Sequence, residues 1–334
     1  MASKINTVEY SYCSAKIRAL ENSIISAEQM RALVECATYS EAMAKLEEYG
    51  VSLVTDNEQN ADLEATLQRK FADACDVLCE VPAPQNYNFL RYPYDCNNLK
   101  ACIKCSIRNI SPESMMSDCG VFSADEAKAA IKGEFSGYPE HMSAAIVQAT
   151  EAYAKTKSPQ LIDLILDRAC YADMLTCAEA SGCDYLVDLV RTKIDTVNII
   201  TCVRLMRMRM GASGRDMLAR AILEGGKYNS AFFCEMYEAG EGKLCEALAF
   251  SDYGKLISCI CENPDGLSNV EKYADNLYIE KAKRAKLIAF GPEVAAAYII
   301  AVEYEVKNLR IILDGKRTGK SAETINERLR YSYV

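Results

Sequence analysis

One pattern recurs three times along this chain and restricts it to a repeated helical body. Phe71-Ala72-Asp73, Tyr171-Ala172-Asp173 and Tyr273-Ala274-Asp275 each precede a segment carrying an acid, an asparagine three residues later and then an aliphatic residue. Those segments read Asp95-Cys-Asn-Asn98-Leu99, Asp195-Thr-Val-Asn198-Ile199 and Glu305-Val-Lys-Asn308-Leu309. The aromatic residue stands 27 positions before the Asn in the first two copies and 35 in the third, where Gly291-Pro292 occupies the added length. The offset between copies predicts three helical domains, 1–111, 112–214 and 215–334, each of ordinary domain size. It lies far above the roughly 20–50 residues of short solenoid repeats.

The strongest helical pattern runs from Glu293 to about Asp314. Val294, Ala297, Tyr298, Ala301 and Val302, then Leu309, Ile312 and Leu313, give one broad apolar face at three- and four-residue spacing. Pro292 suits a first turn, where a missing N–H costs little, and Gly315 is the expected C-cap. Helix is also expected over Glu9–Leu20, Ala27–Glu48, Ala61–Cys79, Ala124–Lys132, Met142–Lys155 and Pro159–Ala180, which are rich in strong helix formers. Only Val51-Ser-Leu-Val54 alternates as a strand does, so the fold class is all-α. Boundaries are expected at Asn109-Ile-Ser-Pro112 and Gly211-Ala-Ser-Gly214, with a turn at Asn263-Pro-Asp-Gly266.

Half of the 334 residues are apolar, enough for a substantial core, and the net charge of −9 argues against nucleic acid as a partner. No apolar run approaches the roughly 20 residues of a membrane helix, and the first six residues lack the apolar stretch of a signal peptide. Sixteen cysteines scattered along helical segments of so long a chain fit a reducing cytosol better than a disulfide framework. Four residues after each repeated Asn stand Cys102, Cys202 and Ile312, so two cysteines share a position with Ile and read as small core residues.

Each chemical signal has a plainer structural counterpart. An acid and an amide one helical turn apart could hold a metal or move a proton. Three copies at three places point instead to bonds with a neighbouring helix end or loop, because buried polar groups need partners. Asp95, Asn98, Asp195, Asn198, Glu305 and Asn308 are therefore read as repeat fold determinants. Gly319-Lys320-Ser321 resembles the end of a phosphate-binding loop, but Asp314 stands where that loop needs its first glycine, and the segment ends a helix. Cys102-Ile-Lys-Cys105 is a lone pair, short of the four ligands of structural zinc. With His141 the only histidine, the chain is assigned no catalytic, metal or cofactor-binding residue. All three repeated helices finish in basic residues, which suit the negative end of the helix dipole. Arg108, Arg204, Arg207, Arg209 and Arg317 are also candidates to face an acidic protein partner.

With the repeat located, the chain resembles the C subunit of the bacterial and archaeal A/V-type ATP synthases, the equivalent of the d subunit of the eukaryotic vacuolar ATPase. The stretches carrying the likeness are Tyr10-Ser-Tyr12-Cys-Ser-Ala15-Lys-Ile-Arg18, Leu166-Asp-Arg168 with Tyr171-Ala-Asp173, and Phe290-Gly-Pro-Glu293 leading through Ala297-Tyr298 to Glu303-Tyr-Glu305-Val-Lys-Asn308-Leu309-Arg310. The resemblance implies a funnel-like, pseudo-threefold helical protein without catalysis or cofactor of its own. It implies a socket on the cytoplasmic face of the membrane, between the central-stalk subunits and the membrane rotor ring of a proton- or sodium-translocating complex that makes or hydrolyses ATP. A helical protein-interaction scaffold unrelated to ATPases is the alternative, and an enzyme using carboxylates inside the helices a third reading.

Overall fold

The computed structural model describes residues 6–55, 61–264 and 266–334. The opening residues 1–5 and the Asp265 of the expected turn lie outside them. Among the described residues are sixteen α-helices and one antiparallel pair of two-residue strands, Val54–Thr55 with Ala61–Asp62. The fold is all-α.

The chain forms two compact units. Gln85–Leu267 makes one; the described part of Lys4–Pro84 joins Ser268–Val334 in the other. In the first, helix Pro159–Ala180 packs against Glu140–Thr156, Asp184–Arg207 and Tyr92–Arg108. Its limits coincide with those read from the sequence, because Pro159 is pre-set for a first turn.

In the second unit, helix Pro292–Arg317 is the axis. Leu63–Asp76, Ser268–Lys283, Ser11–Leu20, Tyr39–Glu48, Ala27–Glu35 and Ala322–Arg328 all pack on it. Every residue from Val294 to Val302 is buried, so this half is enclosed all round instead of on one face. Alanines at 295, 296, 297 and 301 let neighbouring helices approach from several sides.

Local chemistry shifts several expected boundaries. Residues 36–38 divide the expected Ala27–Glu48 helix: the Thr38 side chain accepts the Glu41 N–H at 3.1 Å, and the Glu41 carboxylate accepts the Ala37 N–H at 2.7 Å. Gly315 is not a C-cap. The helix runs through it to Arg317, and a Cβ there would press on Ile325 at 2.7 Å. The stop is Gly319, at φ +68°, with Gly319 N–H to Lys316 O at 3.1 Å and Lys320 N–H to Gly315 O at 2.9 Å. Likewise Gly211-Ala-Ser-Gly214 opens helix Gly211–Ala221. The break before it is at Met208 and Arg209, the latter in the left-handed region at φ +53°.

Candidate functional site

The six repeated polar residues are all buried, none more than 4% exposed. Their asparagines act alike. The Asn98 amide donates to Ser117 O at 2.8 Å and accepts the Ser117 N–H at 2.9 Å. Asn198 does the same with Leu223, both bonds 2.8 Å, and Asn308 with Arg330, at 3.1 and 2.9 Å. Each side chain thus closes a two-bond ring on one backbone residue, as a strand partner would. The clasped residue lies 19, 25 and 22 positions downstream.

The first two acids extend the clasp. Asp95 accepts the Val121 and Phe122 N–H groups, both at 3.0 Å. Asp195 accepts those of Lys227 and Tyr228, at 3.1 and 3.4 Å, and a 2.5 Å bond from the Tyr253 hydroxyl. In both copies these amides are four and five residues past the clasped one. The next residue, Ser123 or Asn229, is the N-cap of the following helix, Ala124–Ala130 or Ser230–Ala239. Acid and amide together therefore bond the loop that leads into the next helix. Glu305 differs: it accepts the Ile25 N–H at 2.8 Å and pairs with Lys70 at 3.3 Å, while its Oε2 has no partner.

Burial pushes all three acids above their ordinary values, opposed by these hydrogen bonds. Asp95 is pushed up to about 6, against the pull of the Phe122 and Val121 N–H groups. Asp195 is raised by burial against the Tyr253 hydroxyl, and Glu305 by burial against Lys70. The Tyr253 hydroxyl is held protonated well above its usual range by burial and by the Asp195 charge.

The aromatic-Ala-Asp tripeptides are not equivalent in space. Asp73 is exposed. Asp173 is buried and accepts the His141 and Met142 N–H groups at 3.2 and 2.7 Å, capping helix Glu140–Thr156. Asp275 binds Lys307, Arg330 and the Tyr304 hydroxyl at 3.1, 2.9 and 2.9 Å.

The basic helix ends divide. Arg108, Arg204, Arg209 and Arg317 are exposed, Arg317 pairing with Asp314 one turn back. Arg207 is turned inward: it makes two bonds to the Glu241 carboxylate, at 2.7 and 3.1 Å, and others to the carbonyls of Ile260, Asn263 and Gly266. Cys102 and Cys202 are buried like Ile312, and burial pushes their thiols up to about 11 and 12. Cys102 and Cys105 lie 3.8 Å from the sulfurs of Met116 and Met115. Residues 314–321 form the helix stop described above, and Ser321 caps helix Ala322–Arg328. Among the described residues no helix is long and apolar enough to cross a membrane.

Residues 13–328 match the ATP synthase (C/AC39) subunit family. The chain belongs to that family. Among its relatives, the C subunit of a V-type sodium ATPase from Enterococcus hirae is 24% identical over 329 residues, 98% of this chain and 99% of that protein. The C subunits of A-type ATP synthases from Thermococcus gammatolerans and Thermococcus onnurineus are 25% and 27% identical. Those alignments span 96% and 95% of this chain and 90% and 89% of the relatives.

Two further positions of this C/AC39 family member matter to the clasps, and the repeat pattern alone does not single them out. Gly120 and Gly226 each stand three residues past the clasped residue, and a Cβ on either would collide with Asp95 Oδ1 or Asp195 Oδ1. The signal lies in the loops: Asp118-Cys-Gly120-Val-Phe122 and Glu224-Gly-Gly226-Lys-Tyr228 share acid, glycine and aromatic at the same spacing. The third copy has Tyr333 where the glycine would fall, in keeping with the different reach of Glu305.

Proposed function

We propose that this chain is a non-catalytic central-stalk component of a proton- or sodium-translocating V/A-type ATPase, a socket that couples the rotating stalk to the membrane rotor ring. The observation that carries the reading is the family match across 13–328, with C-subunit relatives aligned along nearly the whole chain. The buried polar groups support it. The acids of the clasps are engaged with backbone amides and neighbouring side chains, so they serve as fold determinants. A part that transmits torque needs stiffness, and clasps that fix successive helix starts supply it.

On this reading the threefold division at 1–111, 112–214 and 215–334 reflects reuse of one helical unit. The exposed helix ends at Arg108, Arg204, Arg209 and Arg317 face acidic protein surfaces and steer assembly. The chain works on the cytoplasmic face of the membrane, held there by its partners.

The test is affinity capture of the tagged full chain from detergent-solubilised native membranes. Central-stalk and ring subunits are expected together in the eluate. Capture of neither, or of unrelated soluble proteins alone, overturns the assignment in favour of a scaffold. Deletion of the chain should leave ATP hydrolysis by the soluble head intact and abolish ion pumping.

A further inference from the structure

Most of the cysteines are explained by packing, and one pair is not. Cys245, on helix Glu241–Leu248, and Cys261, on helix Gly254–Glu262, face each other across a helical hairpin with their sulfurs 2.9 Å apart. That is within an ångström of a disulfide bond, which is about 2.05 Å long. Cys261 is exposed and Cys245 half-buried, so one sulfur is open to a reagent and the other waits behind it. The buried Cys96–Cys170 pair offers a contrast: neither of its thiols is open to solvent.

We infer that Cys245 and Cys261 form a thiol pair that exchanges with small-molecule disulfides of the glutathione class and closes into a reversible internal disulfide. The Cys261 thiol gives its proton to solvent, and the thiolate attacks one sulfur of glutathione disulfide. The reagent's S–S bond breaks, releasing one glutathione thiolate, which is then protonated. Cys245 in turn loses its proton to solvent and attacks the Cys261 sulfur, releasing the second glutathione thiolate. Two protein thiols are oxidised, and one disulfide is reduced to two thiols. Burial and the neighbouring Cys261 thiol push the Cys245 thiol up, so the exposed Cys261 is the sulfur that attacks first.

The location gives the bond a consequence. Glu241, on the Cys245 helix, and Ile260 and Asn263, beside Cys261, are the groups that grip Arg207 at the end of the second repeated helix. Oxidation joins both sides of that grip covalently; reduction leaves the hairpin to non-covalent contacts.

The reduced full-length protein, incubated with glutathione disulfide and alkylated, is digested without reductant and mapped by mass spectrometry. The expected product is a peptide pair joined through Cys245 and Cys261, lighter than the two reduced peptides by two hydrogen atoms. In Cys245→Ser, Cys261 should instead retain a stable glutathione adduct. In Cys261→Ser, Cys245 should remain alkylatable and free of adduct. A persistent adduct on Cys261 of the unsubstituted protein, without the linked pair, overturns the inference even if both serine variants fail to fold.

Discussion

The second and third clasps use the same asparagine geometry on different acids, and the contrast separates what the repeat requires from what it tolerates. Asn198 and Asn308 each close a two-bond ring on a downstream backbone residue. Asp195 then holds the next two loop amides, four and five residues on, whereas Glu305 reaches Ile25 on a different segment. The amide is the constant part because only a side chain with both a donor and an acceptor satisfies one backbone N–H and its own C=O together. The acid is adaptable, since any buried N–H groups within reach satisfy it. Leu223 is buried while Arg330 is half-buried, so the second clasp is also the drier one.

The second clasp is the most sensitive to loss of its amide, Asn198. Replacing it by alanine strands the Leu223 N–H and C=O in a water-poor interior, a loss of about 4 kcal/mol, at about 1–3 kcal/mol for each unsatisfied group. Asn308→Ala and Asn98→Ala should lose about half as much, because water reaches Arg330 and Ser117. Urea titration of the three variants ranks them; equal losses would mean that burial of the clasped residue does not set the cost.

The acids sharpen the picture through pH. Asp95 sits at about 6 in the folded protein against an ordinary 3.8. Well below pH 3.8 the carboxyl is protonated in both states and its burial costs no stability through ionisation. As pH rises toward 6 the unfolded chain ionises first, so stability declines, by about 3 kcal/mol for a shift of this size. Asp195 and Glu305 are shifted in the same direction and steepen the decline. Asp95→Asn should flatten it, measured as urea midpoint against pH between 4 and 7. An unchanged slope would remove Asp95 from the account.

Gly226→Ala places a methyl against the Asp195 carboxylate and should cost about 2 kcal/mol by overpacking. Gly133→Ala serves as the reference, since a Cβ there meets nothing within 4 Å and only the cost of its φ of +101° remains. The smallest effect is expected from Tyr253→Phe, which removes the hydroxyl bond peculiar to the second clasp. About 1 kcal/mol should be lost in thermal unfolding, while the Asn198 ring persists.

Much of this is legible in the residues and some is not. An acid and an amide at helical spacing, seen three times, point to Asp95, Asn98 and their counterparts as buried groups that bond nearby backbone, and the shared Cys102, Cys202 and Ile312 position is buried. The loop partners are harder to find. They lie 19 to 25 residues away, and a glycine, an acid and an aromatic are all that the first two loops share. Gly315 and Gly214 mislead because glycine serves two ends. It permits left-handed turns, as at Gly319, and it admits a close neighbour inside a helix, Ile325 or the Tyr237 hydroxyl. The grouping of Lys4–Pro84 with Ser268–Val334 rests on contacts distant in sequence, such as Glu305 with Ile25, which no local pattern encodes.

The first two clasps are expected to hold the start of the next helix. Native-state hydrogen exchange on Asn198→Ala tests it most directly. The amides of Leu223, Lys227 and Tyr228 should exchange roughly 100-fold faster than in the unsubstituted protein, while the interior of helix Asp184–Arg207 keeps its protection. Unchanged protection at those three amides, or an equal loss along the whole helix, would contradict the account.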